Sequence, residues 1–266
     1  LKNAWNGGGA LSHPNILKDI HKSYILSGAK VIISNTFATC KHTLEDAGEA
    51  HNFCALNTAG VKLARAARSE LGKKNILVAG GISYWSFTGK RPNLEQLRLN
   101  ISEQAHILAN AGAELIMLEM MVDIERMMVT LEAALETQLP VWVGLSCKKN
   151  EHKKMCLLNG DLLENAVKSL KHTSVDLISI MHTDVGHVDD CLDILSRDWQ
   201  GLKGVYAHSG RMIGSEWTFN DVISKEQYSE FVSNWLKKGI NLVGGCCGIT
   251  TEHMHYVSQE LFPTNN

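Results

Sequence analysis

The sequence predicts an α/β protein, a (β/α)8 TIM-type barrel lacking its first strand in this chain. Three observations lead there. Short apolar runs recur at intervals along the 266 residues. Segments with helical periodicity alternate with those runs, which is the mark of βα units and a parallel sheet. No GxGxxG follows an early strand and no GxxxxGK[ST] is present to favour a doubly wound open sheet.

The runs are AKVIISN (29–35), KNILVAG (74–80), AELIMLE (113–119), PVWVGLS (140–146), VDLISIM (175–181), KGVYAHS (203–209) and INLVGG (240–245). Short runs without polar alternation suit strands covered on both faces. Before the first run, NILKDIHKSYILSG reads as a helix with Ile16, Ile20, Tyr24 and Ser27 on one stripe and Gly28 as its stop. Further on, LEQLRLNISEQAHILANAG aligns Leu97, Ile101, Ala105 and Leu108 on one face. DIERMMVTLEAALETQ, LLENAVKSLK, VDDCLDILSRD and SEFVSNWLKKG read in the same way, and Thr250 or Thr251 would cap a last helix. Met117, Met120, Met121, Met127 and Met128 read as core filling. No linker divides the chain, so residues 1–266 are expected to form one domain. The count is seven strands rather than eight, and the chain starts at Leu1 without an initiator methionine. Either the sequence is truncated at its start or the gap is closed another way. An open edge would favour a homo-oligomer.

Composition narrows the function classes. Hydrophobic residues make up 44% and charged residues 20%, with a formal charge of -2, so no nucleic-acid or anionic-membrane surface is expected. No apolar run reaches the roughly 18 residues of a membrane span. The opening LKNAWNGGGALSHP is polar and glycine-rich, unlike a signal peptide. The 7 cysteines are odd in number and not spaced as a secreted framework, which favours a cytoplasmic setting with free thiols.

In a parallel barrel, chemistry gathers at the C-terminal ends of the strands. Here those ends carry Asn35-Thr36-Phe37, Gly80-Gly81-Ile82-Ser83, Glu119, Cys147, His182, His208-Ser209-Gly210 and Cys246-Cys247. Two cysteines with a histidine or a third cysteine make a reasonable zinc set and leave one position open. Neighbouring strand residues point to opposite faces. Cys246 and Cys247 can therefore share a metal only where the backbone bends, and Gly244, Gly245 and Gly248 permit the bend.

The segment GGCCGIT followed by a helix resembles the closing zinc motif of the homocysteine S-methyltransferase family. AWNGGGALSHPNILKDIHKSYILSGAKVIISNTF is similar to that family's first helix and second strand, AGAELIMLEMM to its fourth strand and GVYAHSG to its seventh. The resemblance runs through nearly the whole chain, in order. It implies a small-molecule methyltransferase of methionine biosynthesis: zinc held by thiolates, homocysteine joining as a further thiolate, and attack on a methyl group of a sulfonium or ammonium donor such as S-methylmethionine or betaine. It implies that Glu119 holds the substrate ammonium, and that Asn35, Thr36, Gly81, Ser83, His208 and Ser209 line the pocket.

Three departures stand out. His182 occupies the place of the family's third zinc cysteine, leaving Cys246, Cys247 and His182 as ligands, with Cys147 as the alternative third. The family's first strand with its Asp-Gly-Gly segment is absent. His208 replaces an asparagine on the seventh strand, and Ala207 replaces a proline. Two further functions stay open: a zinc hydrolase with His208 as base, or an impaired paralogue that only binds a small sulfur compound. Simpler readings stand beside the site residues. Cys246-Cys247 could be inert or a vicinal disulfide, Glu119 could be a structural carboxylate, and Cys147 a packing residue. Lys148, Lys149, Lys153 and Lys154 read as a solvated loop, and His253 and His255 as surface positions.

Overall fold

In the computed structural model, residues 7–213 and 216–263 are described. In chain order they form α1 (Gly9–Ser12), α2 (Pro14–Leu26), β1 (Val31–Ile33), α3 (Lys41–Asp46), α4 (Phe53–Glu70), β2 (Leu77–Ile82), α5 (Leu94–Ala111), β3 (Leu115–Met121), α6 (Ile124–Leu135), β4 (Val141–Lys149), β5 (Met155–Leu157), α7 (Leu163–Leu170), β6 (Leu177–Asp184), α8 (Val188–Asp198), β7 (Leu202–His208), β8 (Arg211–Ile213), β9 (Glu216–Thr218), α9 (Lys225–Lys237), β10 (Leu242–Val243) and α10 (Thr251–Leu261). The main sheet runs in the order β1-β2-β3-β4-β6-β7-β10, with β5 antiparallel on β4. This order follows the chain with no switch point. It is the singly wound order of a (β/α)8 barrel with seven strands, and not that of a doubly wound sheet.

Contacts divide the chain into two compact units. The first comprises residues up to Ile25, Lys30–Met121 and Glu125–Val143. In it β1, β2 and β3 pair in parallel, with Val31 opposite Leu77 and Ala79 opposite Leu115. Gly80 lets α5 approach the strand, because a Cβ there would meet the Leu108 side chain at 3.1 Å. Helix α5 starts where the Asn93 side chain accepts from the Gln96 N–H at 2.8 Å and ends at left-handed Gly112. Its stripe Leu97, Ile101, Ala105 and Leu108 is buried as its spacing predicts. Met117, Met120, Met121 and Met127 fill the core.

Two features of this unit depart from the sequence reading. The 18-residue helix α4 is absent from the helices read above, although Phe53, Leu56, Val61, Ala64 and Ala67 recur at helical spacing and are buried. And α2 buries the other stripe: Ile16 and Ile20 are 59% and 47% exposed, whereas His21 and Ile25 are buried.

The second unit comprises Leu26–Ala29, Val122–Ile124 and the chain from Gly144 on. Here β6, β7 and β10 are parallel neighbours, Leu177 opposite Leu202 and Leu242 opposite Gly204. Gly28, at the exit of α2, has φ +102 and lies so close to α10 that a Cβ would meet Ser258. Helix α9 carries a capping box between Ser224 and Gln227. Trp235 is fully buried, with Tyr228 packed edge-on to it at 5.8 Å. No helix among the described residues is long and apolar enough to cross a membrane.

Candidate metal centre

The second unit gathers two thiols and an imidazole. Donor atoms of His182, Cys246 and Cys247 all lie within 4.8 Å of one another. His182 Nδ1 and the Cys246 sulfur are 3.3 Å apart, and the two sulfurs 3.9 Å. Tetrahedral zinc with bonds of about 2.3 Å to sulfur and about 2.0–2.1 Å to nitrogen would place two sulfurs about 3.8 Å apart, and sulfur and nitrogen about 3.6 Å apart. The donor set therefore fits zinc in both chemistry and spacing. Cys147 is not in this group: its thiol is buried, and its sulfur lies 3.9 Å from the Leu145 carbonyl oxygen.

Backbone irregularity produces the cluster. His182 has φ 43, and the register of β6 against β7 shifts between Met181 and Asp184. A residue in the left-handed region leaves the strand's alternation, so His182 can depart from the face that its place in β6 would dictate. On the other side, β10 ends after Val243 and the chain turns. The Gly244 N–H and the Cys246 N–H donate to the carbonyls of Val205 and Ala207 at 2.8 Å each. The Ser209 N–H donates to the Cys247 carbonyl at 2.9 Å. Gly248 completes the turn at φ +82, where a Cβ would lie 1.8 Å from the Ser209 carbonyl oxygen. The Tyr228 hydroxyl donates to the Gly244 carbonyl at 2.5 Å.

The surroundings favour a thiolate. The Cys247 thiol is held down at about 4 by a hydrogen bond from Cys246, then by a hydrogen bond and the charge of His182, and by His208, against burial. The rings of His182 and His208 are 4.6 Å apart. Burial, and then the charge of His182, lower the pKa of His208. Ser209 is buried, and its hydroxyl accepts from the Ile223 N–H at 2.9 Å.

The first unit gathers the other sequence-predicted residues. Glu119 is buried, and burial pushes its carboxyl up to about 8. No cation pairs with it among the described residues. Gly81 makes room for it: a Cβ there would stand 2.7 Å from Glu119 Oε2. Thr36 is an architectural residue, its hydroxyl donating to the Gly81 carbonyl at 2.7 Å and pairing with Ser34 Oγ at 2.8 Å. The Ser83 hydroxyl accepts from the Trp85 N–H at 3.1 Å, within its own turn. Asn35 is half-buried beside Gly9.

Other expectations divide. Lys148, Lys149, Lys153 and Lys154 are exposed, and Lys149 pairs with Asp190 at 2.6 Å, as a solvated loop should. His255 is exposed, but His253 is not a surface residue: it is buried at the third position of α10 and forms a capping box with Thr250. Tyr228 and His253 escape sequence reading. The signal for His253 is Thr250-Thr251-Glu252-His253, a capping-box spacing with histidine in the acceptor's place.

The homocysteine S-methyltransferase family model matches residues 1–261. The chain belongs to the homocysteine S-methyltransferase family. Homocysteine S-methyltransferase 1 of Zea mays is 22% identical, over 97% of this chain and 87% of its own length. Selenocysteine methyltransferase of Astragalus bisulcatus is 23% identical, over 93% of this chain and 83% of its own. Among solved structures, the metallated form of the homocysteine methyltransferase MmuM from Escherichia coli matches with a TM-score of 0.80 at 20% identity, over 95% of this chain and 87% of that one. The last likeness shows the fold. Membership of the family rests on the sequence match, and it makes the chain a transferase acting on small molecules.

Proposed function

We propose that this chain transfers a methyl group from a sulfonium donor of the S-methylmethionine kind, or an ammonium donor of the betaine kind, to the sulfur of homocysteine, giving methionine. The observation that carries the proposal is the cluster of Cys246, Cys247 and His182, whose spacing fits tetrahedral zinc with one position left open. Zinc there would lower the pKa of an incoming thiol, so that the nucleophile exists at neutral pH. Two thiolates and a neutral imidazole compensate the charge of zinc in full, one thiolate fewer than the family's three-cysteine set. The Cys247 thiol is held well below the usual thiol range by Cys246, His182 and His208, so the proton given up on taking up the metal comes from those partners rather than from Cys247.

The remaining residues bind and orient. Glu119, buried without a cation among the described residues, is the acceptor for the substrate ammonium, and an incoming ammonium would restore its ionised form. Asn35, Thr36, Gly81 and Ser83 in the first unit, and His208 and Ser209 in the second, are assigned to substrate binding, with Thr36 and Ser83 acting by holding the backbone around them. The family match spans residues 1–261, which supports reading the chain as one catalytic domain. Free thiols at every described cysteine suit a cytoplasmic protein. An unpaired sheet edge would suit a homo-oligomer.

The test is zinc content per chain in protein purified without chelators, followed by methionine formation from homocysteine with S-methylmethionine and with betaine. About one zinc per chain and methionine from either donor are expected. A metal-free, inactive protein sinks the proposal. One observation favours a second reading: the lowered pKa of His208 leaves a neutral imidazole beside the cluster, able to act as base in a hydrolysis. Zinc without methyl transfer, together with cleavage of a small ester or amide that is lost in His208→Ala, would select it.

A further inference from the structure

The two cysteines stand on the loop between β10 and α10, and one buried side chain outside the metal cluster closes that loop. We infer that His253 is a positioning residue for the dicysteine loop, presetting Cys246 and Cys247 for metal through a closed circuit of hydrogen bonds. The inference rests on the reading of Cys246 and Cys247 as metal ligands.

The circuit can be followed atom by atom. The Cys247 carbonyl accepts from the Ser209 N–H at 2.9 Å. The Ser209 hydroxyl accepts from the Ile223 N–H at 2.9 Å. The Ile223 carbonyl lies 2.8 Å from His253 Nε2. His253 Nδ1 lies 3.2 Å from the Thr250 N–H and 3.1 Å from its hydroxyl. Thr250 is three residues beyond Cys247, so the circuit closes on Cys247-Gly248-Ile249-Thr250. The partners dictate the tautomer. A carbonyl only accepts, so Nε2 carries the hydrogen; a backbone N–H only donates, so Nδ1 is the acceptor. A single imidazole makes both bonds only as this neutral Nε2–H form.

The ring itself is fixed. His253 is 8% exposed, and Tyr228 packs edge-on against it at 6.1 Å. Tyr228 in turn binds the Gly244 carbonyl, so one aromatic pair grips the loop before Cys246 and after Cys247. Such a device answers a specific need. Two adjacent residues must turn their sulfurs to one point, which free rotation about Gly244, Gly245 and Gly248 would not hold. Groups that orient ligands from behind commonly contribute about 10–100-fold in metal affinity.

The test compares wild type with His253→Gln, whose amide reaches the Nε2 position alone, and His253→Asn, which reaches the Nδ1 position alone. Neither spans Ile223 and Thr250. Zinc dissociation constants are measured by chelator competition, beside the thermal midpoints of the metal-free proteins. The expected result is zinc binding at least about 10-fold weaker in both variants. Ser209→Ala, which opens the same circuit elsewhere, should weaken zinc binding comparably, and the double variant His253→Gln/Ser209→Ala should add little more. A merely structural histidine would lower the midpoint and leave zinc affinity of the folded protein within about twofold of wild type; that result overturns the inference. If wild type takes up no zinc, the metal reading fails separately. Positioning is then judged by the rate at which a thiol reagent modifies Cys246 and Cys247 in the metal-free proteins, where an unchanged rate in both variants overturns it and a severalfold change upholds it.

Discussion

His182 Nδ1 lies 3.3 Å from the sulfur of Cys246, 64 residues away along the chain. The contact exists because His182 leaves the extended conformation of β6 at φ 43. His182→Ala should therefore cost zinc binding at least about 100-fold, since one ligand carries about a quarter of the roughly 10–16 kcal/mol of a four-ligand site. His182→Cys should keep the metal and add one negative charge to the donor set. Isothermal titration with zinc on metal-free protein reads both. If His182→Ala binds zinc as wild type does, the third ligand lies elsewhere and Cys147 becomes the candidate.

The first unit offers a separate check on substrate binding. A Cβ on Gly81 would lie 2.7 Å from Glu119 Oε2 and 2.9 Å from Ile33 Cγ2. Gly81→Ala must displace the carboxylate or the strand, at a cost of about 1–3 kcal/mol for an overpacked site. The KM for homocysteine should rise at least about tenfold while zinc content stays at the wild-type level. An unchanged KM would mean that Glu119 does not meet the substrate.

The strands are legible in the sequence because seven short apolar runs admit little else, and each of them is a strand of the main sheet. The face of α2 is not. Two stripes compete there, Ile16-Ile20-Tyr24 and Leu17-His21-Ile25, and the histidine lends the latter a polar character. Burial lowers the pKa of His21 to about 4, so it enters the core as a neutral aromatic. The grouping of His182, Cys246 and Cys247 is legible too, because strand ends converge in this fold. Tyr228 is not, because its partner is a backbone carbonyl that leaves no residue pattern, and His253 shows only as a capping-box spacing after Thr250.

His21 and Glu119 set opposite pH slopes on stability. His21 is lowered from 6.5 to about 4, so it opposes folding once the unfolded chain can protonate: its contribution is full above about pH 6.5 and lost as pH falls to about 4. Glu119 is raised from 4.5 to about 8, so its contribution is full below about pH 4.5 and lost as pH rises through about 8. Between about pH 4.5 and 6.5 the two slopes cancel. Above that range Glu119 is the one of these two that still sets a slope, at no more than about 1.4 kcal/mol per pH unit. Relative to wild type, the urea midpoint of Glu119→Gln should gain as pH rises from about 6.5 to 8, and that of His21→Leu should gain as pH falls from about 6.5 to 4. Parallel profiles for wild type and both variants would refute the assignment.

Gly248 is the tightest point of the dicysteine turn. Its φ of +82 disfavours any side chain, and a Cβ would come within 1.8 Å of the Ser209 carbonyl oxygen. Strain of about 1–2 kcal/mol from the left-handed backbone adds to about 1–3 kcal/mol from the clash. Gly248→Ala can relieve the clash only by moving Ser209 away, which breaks the bond from the Ser209 N–H to the Cys247 carbonyl. The variant should lose zinc along with at least about 2 kcal/mol of stability in urea unfolding. Gly72→Ala is the control, because Gly72 shares the left-handed backbone at φ +65 and has nothing within 4 Å of its Cβ position. It should carry the backbone strain alone and keep its zinc. Equal losses in the two variants would show that backbone strain, and not the contact with Ser209, is what holds the turn.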